Sequence, residues 1–424
     1  LSPSANYTGA SYLGNVKENW LFQLFNQDSY LSFDGIDDVV NLGATTGSSP
    51  ISITSTGAGG TGLTICGWVN FPVAGSDNQF IFVNNTQHAN WAGISIFKGT
   101  DNILKILYGD GSEDDADDYK TIKTKTATIS LDTWTFFAIV TDFADDLTGS
   151  TIYLGSGTTL TAYTGTGGLA AGGSGSNTAP VYGTGIANIG NEIVAADSYA
   201  QFKIKNLALY AAQLDSNNIT ALFNTGNYKS FLYDFGNYDN SSTLKAYWEL
   251  NNGEPTIQDL SGNGANGTIT GATYEGFLPL SLSDTTIDSI FYHGCVTRVG
   301  SVRDSIDLAK SQAKTSNISL NLANFKYKGD SLSAELFLGS RDYYNYNVRI
   351  YSQLNGSTAL SDCLQVYQGR LINIAHDQSN ITMQLTEQRP WDFIEIPSEK
   401  VTTSRTYIPV VYGEFTENDS EASI

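Results

Sequence analysis

Two stretches some 210 residues apart decide the fold of this chain. Near the front stands Tyr30-Leu31-Ser32-Phe33-Asp34-Gly35-Ile36-Asp37-Asp38-Val39-Val40-Asn41-Leu42-Gly43. Downstream stands Ala246-Tyr247-Trp248-Glu249-Leu250-Asn251-Asn252-Gly253-Glu254, then Asp259-Leu260-Ser261-Gly262-Asn263-Gly264-Ala265-Asn266-Gly267-Thr268. In both, apolar and aromatic residues run into Asp/Asn-Gly clusters, where Asx side chains bond the local backbone and glycine supplies positive φ. They read as the two ends of one β-sandwich. They therefore bracket a removable module, and the flanking residues need a separate account.

Between these ends, short apolar or alternating runs recur between Gly/Ser/Thr/Asn/Asp clusters: Leu63–Phe71, Phe80–Val83, Ile94–Phe97, Trp134–Val140 and Phe202–Tyr210. Many short strands with turn signals between them indicate a sandwich or jelly roll. One short helix is expected over 215–224: Asp215 or Ser216 can cap it, and Ile219, Leu222 and Phe223 share a face. Gly165–Ser176, rich in Gly, Ser and Ala, is expected to be a loose loop. Tyr 24 and Phe 20 against Met 1 agree with strands, since aromatic rings fit a pleated, half-buried surface.

The chain changes character near residue 277. Residues 28–277 hold no Arg, 9 Lys and 25 Asp+Glu, whereas residues 278–416 hold 12 Lys+Arg and 14 Asp+Glu. Of the 42 glycines, 35 precede residue 277. Such a step marks two units with different surfaces. Alternating strands outside the module occur at Trp20–Phe25, then at Val302–Leu308, Asn317–Asn324, Val348–Tyr351, Leu364–Ile372 and Ile381–Thr386. The expected organisation is a first host strand in 12–28, a module in 29–277, the rest of the host domain in 278–416 and a tail in 417–424. The expected fold class is all-β, a jelly roll inserted into a second antiparallel β-barrel or sandwich domain.

A net charge of −21 argues against nucleic acid, which needs clustered Lys and Arg. No apolar run reaches 18 residues, so no membrane-inserting helix is expected. Cys66, Cys295 and Cys363 are too few and too scattered for a disulfide framework or a zinc site.

The Phe33-Asp34-Gly35 start, the Ile65–Trp68 and Trp134–Val140 runs, Ile189-Gly190-Asn191, Ile204–Tyr210 and the Tyr247–Thr268 ending resemble the laminin-G-like, concanavalin-A-like jelly rolls in order and spacing. That resemblance implies a largely non-catalytic module binding glycan or protein at rim loops or on one sheet face. It also implies a structural Ca²⁺ near the sandwich ends, with Asp34, Asp259 and Asn263 as candidate ligands. Turn chemistry is the competing reading of those three residues. The flanks are similar to hub proteins at the tail tip of tailed bacteriophages. They share the Trp20–Phe25 strand, His293-Gly294-Cys295-Val296 with Ser305-Ile306-Asp307, Gly369-Arg370-Leu371-Ile372 and Pro409-Val410-Val411-Tyr412-Gly413. This second resemblance implies a virion location, other phage tail proteins as partners, and a homo-oligomer, trimer or hexamer.

Candidate site residues follow from chemistry. A flat aromatic face meets the C–H face of a pyranose, and nearby Asn or His bonds its hydroxyls. His88, Asn90, Trp91 and Tyr119 are the candidate glycan contacts, with Tyr163 and Tyr199 as further exposed aromatics. Trp68, Trp134 and Trp248 belong to strand-like runs and are expected in the core. The run Asp110–Asp118 reads as a solvated hairpin loop, with Ca²⁺ binding as the sharper alternative. No catalytic residue is assigned: His88, His293 and His376 lie far apart, and no nucleophile elbow, zinc-protease motif or phosphate loop occurs. The Glu-x-Asp-x-x-Glu triplet of concanavalin-like glycosidases is also missing. The expected function is a non-enzymatic virion protein carrying a lectin-like module for host-surface polysaccharide. A secreted or cell-surface adhesin is the alternative, and a polysaccharide lyase or hydrolase with a nonstandard site is a third reading.

Overall fold

The computed structural model describes residues 4–11, 15–45, 49–52, 62–85, 92–109, 119–143, 147–173, 180, 182, 185–192, 199–227, 229–251, 256–300, 304–307, 312–315, 318–338 and 343–387. After a short helix, α1 (Ala5–Ser11), the first strand is β1 (Glu18–Leu24). The chain then builds β2 (Tyr30–Asp34), β3 (Val39–Thr45), β4 (Leu63–Asn70), β5 (Gln79–Asn85), β6 (Gly93–Lys98), β7 (Leu104–Gly109) and β8 (Tyr119–Thr124). There follow β9 (Thr135–Thr141), β10 (Ser150–Ser156), β11 (Thr159–Thr164), the turn α2 (Gly165–Gly168), β12 (Leu169–Gly172), β13 (Gly185–Ile189) and β14 (Gln201–Tyr210). After α3 (Ser216–Phe223) come β15 (Leu244–Trp248), β16 (Thr256–Ile257), β17 (Gly267–Thr270) and β18 (Thr273–Glu275).

Strands β2–β18 form two facing sheets. One runs β11-β10-β9-β4-β14-β2-β18, with β15 also on β14; the other runs β12-β8-β7-β6-β5-β13-β3-β17-β16. The main core lies between them. It includes Leu31, Phe33, Ile65, Val69, Phe202 and Ile204 from the first sheet, and Val40, Ile81, Ile96, Ile106, Ile122 and Ile189 from the second. Trp248, fully buried, closes one end, its indole N–H donating to the Ala265 carbonyl at 2.7 Å.

The outer face of the β4/β9/β14 sheet is covered as well. Cys66, Trp68, Phe136, Ala208 and Tyr210 pack there against Ile219, Leu222 and Phe223 of α3, and against Phe231, Tyr238 and Tyr247. Helix α3 forms where its caps allow. Asp215 accepts from the Asn218 amide at 2.8 Å, and Asn224 leaves the helix in the left-handed region at φ 45.

The remaining strands are β19 (Leu278–Ser281), β20 (Thr285–Ile287), β21 (Ile290–Gly294), β22 (Val296–Val299), β23 (Asp304–Asp307), β24 (Gln312–Thr315), β25 (Ile318–Ala323), β26 (Lys326–Tyr327), β27 (Asp330–Ser331), β28 (Asn347–Leu354), β29 (Leu364–His376) and β30 (Asn380–Glu387), with α4 (Leu332–Phe337) after β27. Eight of them join β1 in a nine-stranded sheet, β20-β21-β19-β1-β28-β29-β30-β25-β22, antiparallel except for β19 against β21, while β23-β24 and β26-β27 are separate two-stranded pairs. Helix α4, which the alternation-based reading did not anticipate, packs Leu332 and Leu336 onto this sheet's core.

The insertion follows from one register. β1 lies between β28 and β19, and Leu24 stands directly opposite Leu278. The jelly roll thus leaves and re-enters the host sheet at neighbouring positions. At the crossing, the Asn26 side-chain amide donates to the Gly276 carbonyl at 2.9 Å. Arg349 of β28 stacks its guanidinium over both Phe25 and Tyr274, at 5.5 and 5.8 Å. The two cores stay separate: the host core draws on Phe22 and Leu24, then on Leu278 and later residues.

Three local expectations change. Gly165–Ser176 is not one loose loop, since 165–172 forms the turn α2 and β12. Tyr163 lies on a strand, β11. Trp134 is only half-buried and packs against Tyr30 and under Lys205 rather than into the sandwich core. The Pro409–Gly413 motif lies outside the described residues.

Candidate functional site: the outer face of the second jelly-roll sheet

Helix α3 and the 231–247 segment cover one flank of the sandwich. On the outer face of the other sheet the central residues Phe80, Val83, Ser95, Phe97 and Leu107 are also buried, and Asn41, Lys105, Tyr119, Thr121 and Lys123 are the exposed or half-exposed ones. Directly opposed residues of neighbouring strands share a face, so register alone maps this one. One row crosses the sheet as Asn41–Asn188–Val83–Ser95–Leu107–Thr121. A second runs Phe80–Phe97–Lys105–Lys123. A third sets Gly93 and Gly109 beside Tyr119.

These rows form a mixed surface of rings, aliphatic side chains, amides and hydroxyls. Phe80, Val83, Phe97 and Leu107 make a small apolar cluster separate from the main core, and Tyr119 packs against it. Phe80 and Phe97 meet at 5.2 Å between ring centres. Lys105 extends along this patch, 5.9 Å from the Phe97 ring, and pairs with Asp101 at 3.1 Å. Asn188, 8% exposed, keeps a side-chain oxygen with no donor among the described residues, and so does Asn191. An unmet acceptor in a sheltered place costs stability unless something supplies a donor. The partly exposed Tyr119 ring and Thr121 hydroxyl are the groups of this face that suit a sugar.

Of the four residues singled out as glycan contacts, Tyr119 opens β8 on this face, half-buried. His88, Asn90 and Trp91 lie outside the described residues, as does Asp110–Asp118. Asn188, Ser95, Phe97 and Leu107 were not singled out. The unbroken apolar run Phe80–Val83 signals a strand apolar on both faces, but Asn188, Ser95 and Leu107 carry no such signal of their own.

The metal candidates separate into two groups. Asp34 is gathered with Asp37 and Asp38, one carboxylate oxygen of each lying within 4.8 Å of the others. Asp38 accepts from the Asp34 amide at 2.7 Å, and Asp34 from the Ile36 amide at 2.8 Å. Burial, opposed in part by the Asp34 amide bond and reinforced by the neighbouring Asp34 and Asp37 charges, pushes the Asp38 carboxyl up to about 6. Asp259 is occupied by its own turn: it accepts from the backbone N–H groups of Tyr247, Ser261 and Ala265 at 2.9–3.1 Å. Asn263 donates to the carbonyls of Leu244 and Lys245. Backbone capping accounts for these contacts, and the carboxylates that join Asp34 are Asp37 and Asp38, which the sequence reading had not chosen.

Nucleophile chemistry finds little purchase among the described residues. Burial pushes the Cys363 thiol up to about 11 and Cys295 to about 12, so neither is a thiolate at neutral pH. The His293 ring sits among Phe291, Phe325 and Tyr327, and His376 packs on Phe337.

No family model matches the chain, and no curated protein matches it. Among solved structures it is similar to a candidate carbohydrate binding protein from Bacteroides ovatus, at 13% identity and TM-score 0.34, over 59% of this chain and 60% of that one. It is similar to the CBM40 of a Ruminococcus gnavus IT-sialidase bound to alpha2,3 sialyllactose, at 13% identity and TM-score 0.27, over 38% and 82%. It is also similar to the botulinum neurotoxin serotype C1 binding domain, at 12% identity and TM-score 0.28, over 88% and 90%. Similarity at this level assigns neither ligand nor role to this chain.

Proposed function

We infer that this chain is a non-enzymatic recognition protein: a glycan-binding jelly roll displayed on a host β domain. The observation that carries this reading is the outer face of the β5–β8 sheet, where half-buried Tyr119 and Thr121 stand beside the buried cluster of Phe80, Phe97 and Leu107, on a face that also holds Asn188, whose side-chain oxygen meets no donor among the described residues. Insertion at a single point of the host sheet supports display, because the module adds its surface without interrupting the host core. Single sites of this kind bind sugars weakly, and several copies on one particle raise the avidity.

The host domain is assigned to the tail tip of a tailed bacteriophage, with bacterial surface polysaccharide as ligand. The hub-like motifs in β1, β21–β23 and β29 support this placement. The adhesin reading shares the glycan site but predicts a free or wall-attached chain in place of a stoichiometric virion component. Mass spectrometry of purified particles separates the two.

The glycan is tested on an array of bacterial polysaccharides with the whole chain 1–424, with Ca²⁺ and with chelator. Binding is expected, with at least a tenfold loss in Tyr119→Ala and in Asn188→Ala at unchanged melting temperature. No binding under either condition, or full binding by both variants, removes this face as the site.

A further inference from the structure

We propose that strand β11 is a self-association edge, through which two copies of the chain join their β4/β9/β14 sheets antiparallel into one continuous sheet. The proposal is independent of the glycan reading.

An outer strand turns the N–H and C=O of every second residue away from its partner, so an open edge is a template for another strand. Proteins blunt such edges with short length, charge, proline or a bulge. In the three large sheets the other edge strands follow this practice. β16 has two residues, β18 three with Glu275, β20 three, and β22 four with Arg298. β12 has four.

β11 departs from it on every count. It has six residues, Thr159-Leu160-Thr161-Ala162-Tyr163-Thr164, without charge or proline. Its pairing with β10 is regular along the whole length, from Ser156↔Thr159 to Thr151↔Thr164. Among the described residues its only strand partner is β10, and no turn or loop hydrogen bond reaches its backbone. Thr159, Thr161, Ala162 and Thr164 are exposed.

Charge selects the occupant. No Asp, Glu, Lys, Arg or His occurs from Leu147 to Asn191, inside a module that carries 25 acidic side chains against 9 lysines. Two copies of so acidic a module repel each other over most of their surface. The uncharged β10–β11 hairpin is where they approach without that cost, and β-branched Thr159, Thr161 and Thr164 suit a strand in the middle of a sheet. An antiparallel strand pair is self-complementary about a two-fold axis, so one neutral edge supplies both halves of the interface.

The test is analytical ultracentrifugation of the chain without ligand across a concentration series, beside Thr161→Lys, Ala162→Pro and a control Thr268→Lys at an exposed position of β17. Wild type and control are expected to self-associate. Thr161→Lys places like charges together at the joint and Ala162→Pro removes a backbone donor, so each weakens association at least tenfold at unchanged melting temperature. Ala162→Cys, oxidised, is expected to cross-link to its own copy. A wild-type monomer at all concentrations, or unchanged association in both β11 variants with no cross-link, overturns the proposal.

Discussion

Excising the jelly roll should leave a folded host domain. Leu24 and Leu278 face each other in the register of β1 and β19, so joining them through an Asn-Gly turn makes a continuous hairpin. The host core, from Phe22 and Leu24 through Leu278 to Leu385, contains no residue of the excised segment. What is lost lies at the crossing: the Phe277–Tyr292 ring pair at 6.3 Å and the stacking of Arg349 on Phe25 and Tyr274. Such contacts contribute about 0.5–1.5 kcal/mol each, so excision costs about 2–4 kcal/mol against a typical domain stability of about 5–15 kcal/mol. The Asn-Gly variant is expected to keep a β circular-dichroism spectrum and a cooperative melt at reduced temperature. The isolated segment 27–276 should melt cooperatively too, and calorimetry of the whole chain should resolve two transitions. If either piece is unfolded while the whole chain melts in one two-state step, the two cores are a single cooperative unit and the modular account fails.

Two further predictions concern the module's ends. Gly190 has φ +92, and an added Cβ would run into the Phe33 ring. Gly190→Ala should therefore cost about 2–4 kcal/mol from left-handed backbone and overpacking together; a urea-melt loss under about 1 kcal/mol would show that the turn relaxes freely. Asp38 has its folded pKa raised to about 6, above the ordinary value near 3.9. A raised carboxyl favours the folded state most below its unfolded pKa, and that contribution is lost as pH rises through about 6. Melting temperature should fall between about pH 4 and 6 in wild type and fall less in Asp38→Asn; coincident curves would mean that Asp38 is not desolvated.

Much of the architecture was legible because it is local. Aromatic and β-branched runs between Asx-Gly turns mark strands whatever they pair with, as in β4, β9 and β14. Asp215 and Asn224 mark the ends of α3 through capping chemistry within a few residues. The candidate site was less legible. Tyr119 could be chosen for its ring, but Asn188, Ser95 and Leu107 are ordinary strand residues until strands far apart in sequence align them. Helix α4 was hidden because Leu332–Phe337 is too short to establish a helical period, and its stability comes from burying Leu332 and Leu336 on the host sheet.

By itself, then, the sequence determined that the chain is all-β, that one unit sits within another, and that the inner unit is acidic and glycine-rich. Strand periodicity, turn chemistry and charge are properties of neighbours along the chain. Only the tertiary structure decided that Asp34 joins Asp37 and Asp38 while Asp259 caps its own turn, that Asn188 meets Val83 and Asn41, and that β11 is left at an edge. Those outcomes depend on strand order and register, which are set by how whole hydrophobic faces pack, and no short window of sequence contains that information.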